Sequence, residues 1–269
     1  MKYASIIIDD PLLRENYGFL NYRKLLWLAD QHNFHATIAF IPWNYDRTDN
    51  KIAALFRDRP DRLSLCVHGC DHTKGEFGST NHAFLDHIID LATARMQEHE
   101  RLTGITFERV MVFPQGVFSN ESLEALKRHG YLAAINTEIQ PVKDTLSKAL
   151  PLFQRWKFSE IDDHNPAFIM THHDDFKDGY RELTATVDRL NAQDVIWGNV
   201  GDVARKYTNE EPVVLSNSAG ISLNRSGLKV ALRRYASEFR DNYLSRNDAL
   251  LSAAKKVKGL LSPSRRTAP

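Results

Sequence analysis

Three stretches of the chain run from a short apolar segment straight into acids or imidazoles. Asp9 and Asp10 close the segment at 3–8 (YASIII). His68 and His72 follow 63–67 (LSLCV) in the string VHGCDH. His172, His173, Asp174 and Asp175 follow 167–171 (AFIMT). Two adjacent carboxylates repel, and burying both costs free energy unless a positive charge compensates. A divalent cation supplies that charge. Neighbours on an extended segment point in different directions, so one acid can hold a metal while the other reaches into the cavity beside it. Two imidazoles four residues apart converge if the chain turns, and Gly69 makes the turn easy. Two imidazoles with one carboxylate form a facial set that suits zinc or another first-row metal and leaves positions open to water. A histidine of the third stretch can protonate a leaving group, with a neighbouring aspartate to orient it. Each stretch also has a plain reading: capping or loop carboxylates, surface histidines, a surface loop. The recurrence of the pattern at the ends of three separate strands weighs against that reading.

The elements that must position these residues alternate. Strands are expected at 3–8, 36–41, 63–67, 109–113, 131–135, 167–171 and 195–198. Helices are expected at 20–32, with Asn21 as N-cap, at 50–58, at 82–101, from Ser119 to His129, at 179–192, and over GDVARKY after 198. Proline stops the second and fourth strands at Pro42 and Pro114. Alternation of this kind argues for parallel β/α architecture, either a closed barrel or a doubly wound sheet, and periodicity does not separate the two. No Gly-rich phosphate loop follows any strand, and no fixed-period repeat is visible.

The 269 residues are 42% hydrophobic and carry a formal net charge of +1, which gives no case for nucleic acid as a partner. The early apolar run is too short for a signal-peptide core or a membrane span, so a cytoplasmic protein is expected. Cys66 and Cys70 are then expected to be reduced. The charge is unevenly spread. Residues 219–269 hold eleven Lys or Arg against three Asp or Glu, a net of +8. Basic helices are expected at 229–243 and 248–261, with disorder over the last residues. This segment is read either as a solvated appendage or as a contact for an anionic membrane surface or a partner. The chain therefore divides into 1–218, a β/α domain, and 219–269, a basic helical extension.

With these motifs in view, the sequence resembles the polysaccharide deacetylase superfamily, the NodB-homology carbohydrate esterases. SIIIDDP resembles the first motif of that family, HGCDH matches its His-x-x-x-His, VFPQG resembles the third motif, and THH fits the last. The resemblance covers roughly 3–200, and it implies a distorted (β/α)7-type barrel. It also implies roles: Asp9 as general base, Asp10, His68 and His72 as metal ligands, and a general acid at His172, with His173 the alternative. Three departures mark a divergent branch. Val112 stands where the family has an arginine that pairs with the base, and Arg155 or Lys157 is the candidate substitute. Pro11 replaces a glycine. No Asp-Trp element is evident, and Trp156 is the candidate for part of that wall.

The resemblance implies hydrolysis of an N-acetyl group from a sugar, with a divalent metal, zinc first and Co2+, Ni2+ or Mn2+ as alternatives. Pro114 would line the cleft. Trp43 and Asn44, in the loop after the second strand, could meet a sugar ring and a hydroxyl, although Trp43 could equally be a packing residue. With no export signal evident, the expected substrate is a cytosolic precursor: a nucleotide-linked, lipid-linked or small N-acetylated sugar. The rival readings are another metal hydrolase on the same barrel, acting on a cyclic amide or a phosphoester, and a binding relative with a decayed site. Oligomeric state is left open.

Overall fold

The structure is a computed structural model that describes residues 1–142, 145–208, 221–223 and 227–245. Its strands are β1 (Tyr3–Asp9), β2 (Asn16–Tyr17), β3 (Leu20–Asn21), β4 (Ala36–Phe40), β5 (Leu63–His68), β6 (Phe107–Val112), β7 (Ala133–Asn136), β8 (Leu152–Gln154), β9 (Ala167–His172) and β10 (Ile196–Trp197). Its helices are α1 (Tyr22–His32), α2 (Asn50–Asp58), α3 (His82–Thr103), α4 (Asn120–Arg128), α5 (Arg181–Asn191), α6 (Val200–Arg205) and α7 (Leu228–Phe239).

The main sheet runs β10-β1-β4-β5-β6-β7-β8, with β9 on the other side of β1, and every ladder in it is parallel. Trp156, just past β8, bridges Ile169 of β9 in parallel and nearly closes the sheet into a barrel. Of the two architectures that periodicity left open, the structure is the barrel. The strands are buried on both faces, as parallel strands under helices must be, and all five residues of β4 are buried. Alternate residues serve two cores. Ile7, Ala39, Cys66, Val112, Ile135 and Phe168 pack with Val200, Val203 and Ala204 of α6. Ile6, Ile8, Ile38, Leu65, Val67 and Met111 pack with Leu25, Ile52, Leu85 and Ile89 of the surrounding helices.

Caps set the helix starts. The Asn21 side chain accepts from the Lys24 N–H at 2.8 Å, and Ser119 and Ser122 form a capping box that starts α4. Cys66 and Cys70 are free and buried. No helix among the described residues is long and apolar enough to cross a membrane.

The helix expected at 229–243 is present as α7, continued by a π-helical stretch, Arg240–Leu244. It does not stand away from the barrel. Glu238 pairs with Arg14 (3.0 Å) and Arg47 (2.6 Å), and Asp241, 2% exposed, accepts from the Tyr17 hydroxyl at 2.8 Å. The expected helix at 248–261 and the last residues lie outside the described residues.

Candidate active site

Register brings the first and third stretches together. Asp9 of β1 lies opposite His172 of β9, and His68 of β5 lies opposite Val112 of β6, all at the C-terminal ends of parallel strands. Parallel barrels present their loops, and hence their chemistry, at this end.

Asp10 leaves β1 with φ 76, and His72 ends its turn with φ 57. A side-chain-bearing residue enters this left-handed region only when its surroundings compel it, and such residues cluster at functional sites. The two turns aim three side chains at one point. Asp10 Oδ1 lies 3.2 Å from His68 Nε2 and 3.1 Å from His72 Nε2. Ligand-type atoms of the three residues all fall within 4.8 Å of one another.

The tautomer of His68 decides what this point accepts. His68 Nδ1 sits 2.8 Å from the Val112 carbonyl oxygen, which can only accept, so Nδ1 carries the hydrogen. In the neutral ring, Nε2 is then a bare lone pair facing the Asp10 carboxylate. Two acceptors at this distance need a cation between them or a proton on the ring. The donor set therefore fits a divalent metal: one carboxylate oxygen and two imidazole nitrogens, with the second nitrogen of one ring fixed by a carbonyl. Without a metal, the compensation is protonic. Burial pushes the Asp10 carboxyl up, but the charge of His72 and hydrogen bonds from His172, His68 and His72 overcome it and hold it well below the usual range.

Asp9 points beside this cluster, 9% exposed, and Arg155 Nη1 donates to its Oδ1 at 2.6 Å. Arg155, one residue past β8, thus supplies the cation that Val112 cannot, while Lys157 is exposed. Across the site, His172 Nε2 lies 3.0 Å from Asp10 Oδ2. Burial disfavours a charged His172, but the hydrogen bond to Asp10 and the charges of Asp10, Asp9 and Asp174 win, and the imidazole is pushed up to about 9. His173 turns the other way. It is fully buried, its ring edge-on to Tyr17 at 5.3 Å and its Nε2 3.6 Å from Asp241 Oδ1. The two rings lie 4.4 Å apart, yet of the two only His172 is paired with Asp10.

Other expected site residues are placed as follows. Pro114 is buried beneath Gly69, where a Cβ would lie 2.9 Å from the proline ring and 2.3 Å from Glu76 Oε1. Trp156 is half-buried, with one face stacked on His164 at 3.7 Å. Trp43 and Asn44 are corrections. Both are buried: Trp43 packs under Tyr235 of α7, with centroids 5.6 Å apart, and Asn44 accepts from Arg47 at 3.1 Å. Neither offers a sugar an open face, because α7 covers the loop that looked exposed in sequence.

Glu76 went unnoticed in the sequence. Its carboxylate is 6% exposed and accepts from the backbone N–H groups of Cys70 (2.8 Å), Asp71 (3.4 Å), His72 (3.2 Å) and Thr73 (3.1 Å), and from the Thr73 hydroxyl (3.0 Å). Fully buried Arg95 of α3 adds a 2.6 Å bond to Asp71. Together they fix the turn that carries His72. The available signal was a lone acid four residues after the second histidine, in a glycine-flanked loop. A cavity of about 330 Å³ opens elsewhere, beside Leu63 and Phe107 at the starts of β5 and β6, and none of these residues lines it.

No protein-family model matches the sequence, and no curated protein is significantly similar to it. Solved structures do match. A family 4 carbohydrate esterase from Bacillus anthracis is 18% identical with a TM-score of 0.51, over 76% of this chain and 83% of that one. The Xyl-CE4 domain of a multidomain xylanase from the hindgut metagenome of Trinervitermes trinervoides is 14% identical with a TM-score of 0.51, over 82% and 99%. A CE4 family pseudoenzyme from Bacillus anthracis is 13% identical with a TM-score of 0.52, over 76% and 65%. At this distance the likeness is one of fold alone: the chain has the barrel architecture of the family 4 carbohydrate esterases.

Proposed function

We propose that the protein is a metal-dependent deacetylase that hydrolyses an N-acetyl group on a sugar. The observation that carries this reading is the convergence of His68, His72 and Asp10 on one point, with His172 paired to Asp10 and Asp9 opposite His172 in register. Asp10, His68 and His72 would hold a divalent cation, zinc first by donor type. When bound, it supplies Lewis-acid polarisation of the acyl carbonyl and makes nearby water more acidic.

The chain's own groups divide the proton transfers. Asp9, held by Arg155 through Oδ1, presents its other oxygen as the base that takes a proton from attacking water. His172 keeps a proton on Nε2, shared with Asp10 Oδ2, and gives it to the departing sugar nitrogen. The products are acetate and a free amino sugar. Trp156 and Pro114 would border the substrate, which we take to be an N-acetylated sugar, free or linked to a nucleotide or lipid carrier.

Since pseudoenzymes share this fold, the Asp9–Arg155 pair matters. It supports the active reading because a buried cation faces the base despite the loss of the usual arginine position. A screen of acetate release from N-acetylated sugars, after reconstitution with Zn2+, Co2+, Ni2+ or Mn2+, tests the proposal. Metal uptake with no acetate from any sugar would leave a different hydrolase on the same site; no metal uptake would leave a binding protein.

A further inference from the structure

The C-terminal helix has two unlike faces. Its acids turn inward: Glu238 onto Arg14 and Arg47, Asp241 onto Tyr17. The main-chain N–H of Gly18 donates to Asn242 Oδ1 at 2.9 Å. Gly18 has φ +55, and a Cβ there would lie 2.1 Å from His173 Nδ1, so no side chain fits between this loop and the turn after β9.

The outward face is apolar. Leu228 is 76% exposed, Leu232 59%, Phe239 54% and Tyr243 66%, and Tyr235, 48% exposed, borders them with one side of its ring on Trp43. Their spacing of four, three, four and four residues sets them on one stripe, within an arc of about 80° at helical pitch. Phe239 and Tyr243 lean on each other with centroids 5.2 Å apart. Lys229 and Arg233 are exposed and follow the stripe along one flank; Arg240 lies on the same flank but is paired with Asp241 at 2.7 Å. With both acids of α7 and its π-helical extension engaged on the barrel, what this helix presents outward is apolar and positive.

We infer that this stripe docks the protein on an anionic lipid surface. Leucines and aromatics on one face beside lysine and arginine are the composition of a helix that lies in a membrane interface, with its apolar side among the acyl chains and its cations at the headgroups. Water is a poor alternative for so continuous a stripe. The ring-on-ring lean of Phe239 and Tyr243, and the two leucines that extend the row, suit acyl chains better than sugar rings. The same helix contacts the loops after β1, β4 and β9, so docking would bring the end of the barrel that bears Asp10 and His172 towards the lipid surface. The inference does not depend on the reaction proposed above.

Vesicle co-sedimentation of the full chain tests it, with phosphatidylcholine vesicles made with and without phosphatidylglycerol. The native chain should bind only the anionic vesicles. The double variant Leu232→Ser with Phe239→Ser, and separately Lys229→Glu with Arg233→Glu, should each weaken binding by at least about tenfold. All four side chains face solvent, so helix content, thermal midpoint and metal content should stay at native values. Binding by the Ser variant at native strength would overturn the inference, since the stripe would then contribute nothing. Absence of binding to either vesicle overturns it too. So does a native dimer that the Ser variant dissolves, which would give the stripe to a second copy of the chain.

Discussion

The two walls of the site are held in opposite ways. The wall carrying His68 and His72 is fixed from nearby in sequence: Glu76 gathers the N–H groups of the turn, and Arg95 of α3 braces Asp71 behind it. The wall carrying His172 is fixed partly from far away. Asp175 accepts from the His172 N–H at 2.7 Å, but adjacent His173 rests on Tyr17 and on Asp241 of the C-terminal segment. One wall can thus be rigid on its own, and the other needs the chain's far end. Predictions that separate them begin with the metal.

His68→Ala and His72→Ala should each abolish most bound metal, because two remaining ligands make a poor site. Metal analysis after reconstitution reads this directly. Full occupancy and full activity in both variants would remove the assignment of Asp10, His68 and His72 as the centre.

The adjacent histidines sharpen the contrast. His172→Ala should lower kcat by roughly 10²-fold or more while leaving the thermal midpoint near its native value, as expected when a general acid is lost. His173→Ala should lower the midpoint, since it empties a fully buried ring position between Tyr17 and Asp241. If His173→Ala silences turnover without destabilising the protein, and His172→Ala does the reverse, the roles exchange.

The supports of the two walls should then fail differently. Glu76→Ala strands several buried N–H groups and should cost about 2–4 kcal/mol. Because Glu76 shapes the turn of His72, metal affinity should fall by about tenfold or more as well. Asp241→Ala should cost about 1–3 kcal/mol through the unpaired Tyr17 hydroxyl, with metal affinity unchanged. Denaturant melts and metal titrations of both variants give the comparison. Equal loss of metal affinity in the two would mean that the walls are one cooperative unit.

The same contrast explains what could be read from the sequence. Strands β1, β4, β5 and β9 stand out because strands buried on both faces are short unbroken apolar runs, and acids and imidazoles end three of them. Asn21 and Ser119 announce their helices because capping is local. β8 is not marked in the sequence: its three residues are only half-buried, and among the described residues no helix lies between it and β7 to set a period. Nor was the β2–β3 hairpin, which has two residues a side. Arg155 could be named only alongside Lys157, because which of them faces Asp9 depends on how β8 meets the barrel. Trp43 misled for a related reason. A loop aromatic looks free until the element that covers it is known, and here that element is α7.

The smallest expected effect is a pH dependence that begins on the first wall. His99 lies one turn beyond Arg95 on α3, fully buried, its ring 4.7 Å from Phe40 and its Nε2 2.8 Å from the Thr48 hydroxyl. Burial pushes its pKa down to about 4. In the unfolded chain it returns to about 6.5. Between these values the unfolded chain binds the extra proton, so stability falls as the pH falls through that window. From pH 7.5 to 5.5 the loss from this group is about 1.3 kcal/mol. Asp241 on the other wall behaves differently. Burial raises its carboxyl, but the His173 imidazole 3.6 Å away, the Arg240 charge and the Tyr17 hydrogen bond outweigh this and hold its pKa below the usual carboxylate value. It stays ionised across that window, and its contribution is lost only as the pH falls through its lowered pKa, beginning near the unfolded value of about 3.9. Mild acid should therefore loosen α3 while the C-terminal helix stays in place. Urea melts at pH 7.5 and 5.5 on the native chain and on His99→Gln measure the difference, and the variant should lose about 1.3 kcal/mol less than the native chain on acidification. An unchanged difference between the two pH values in His99→Gln would show that this imidazole does not carry the effect.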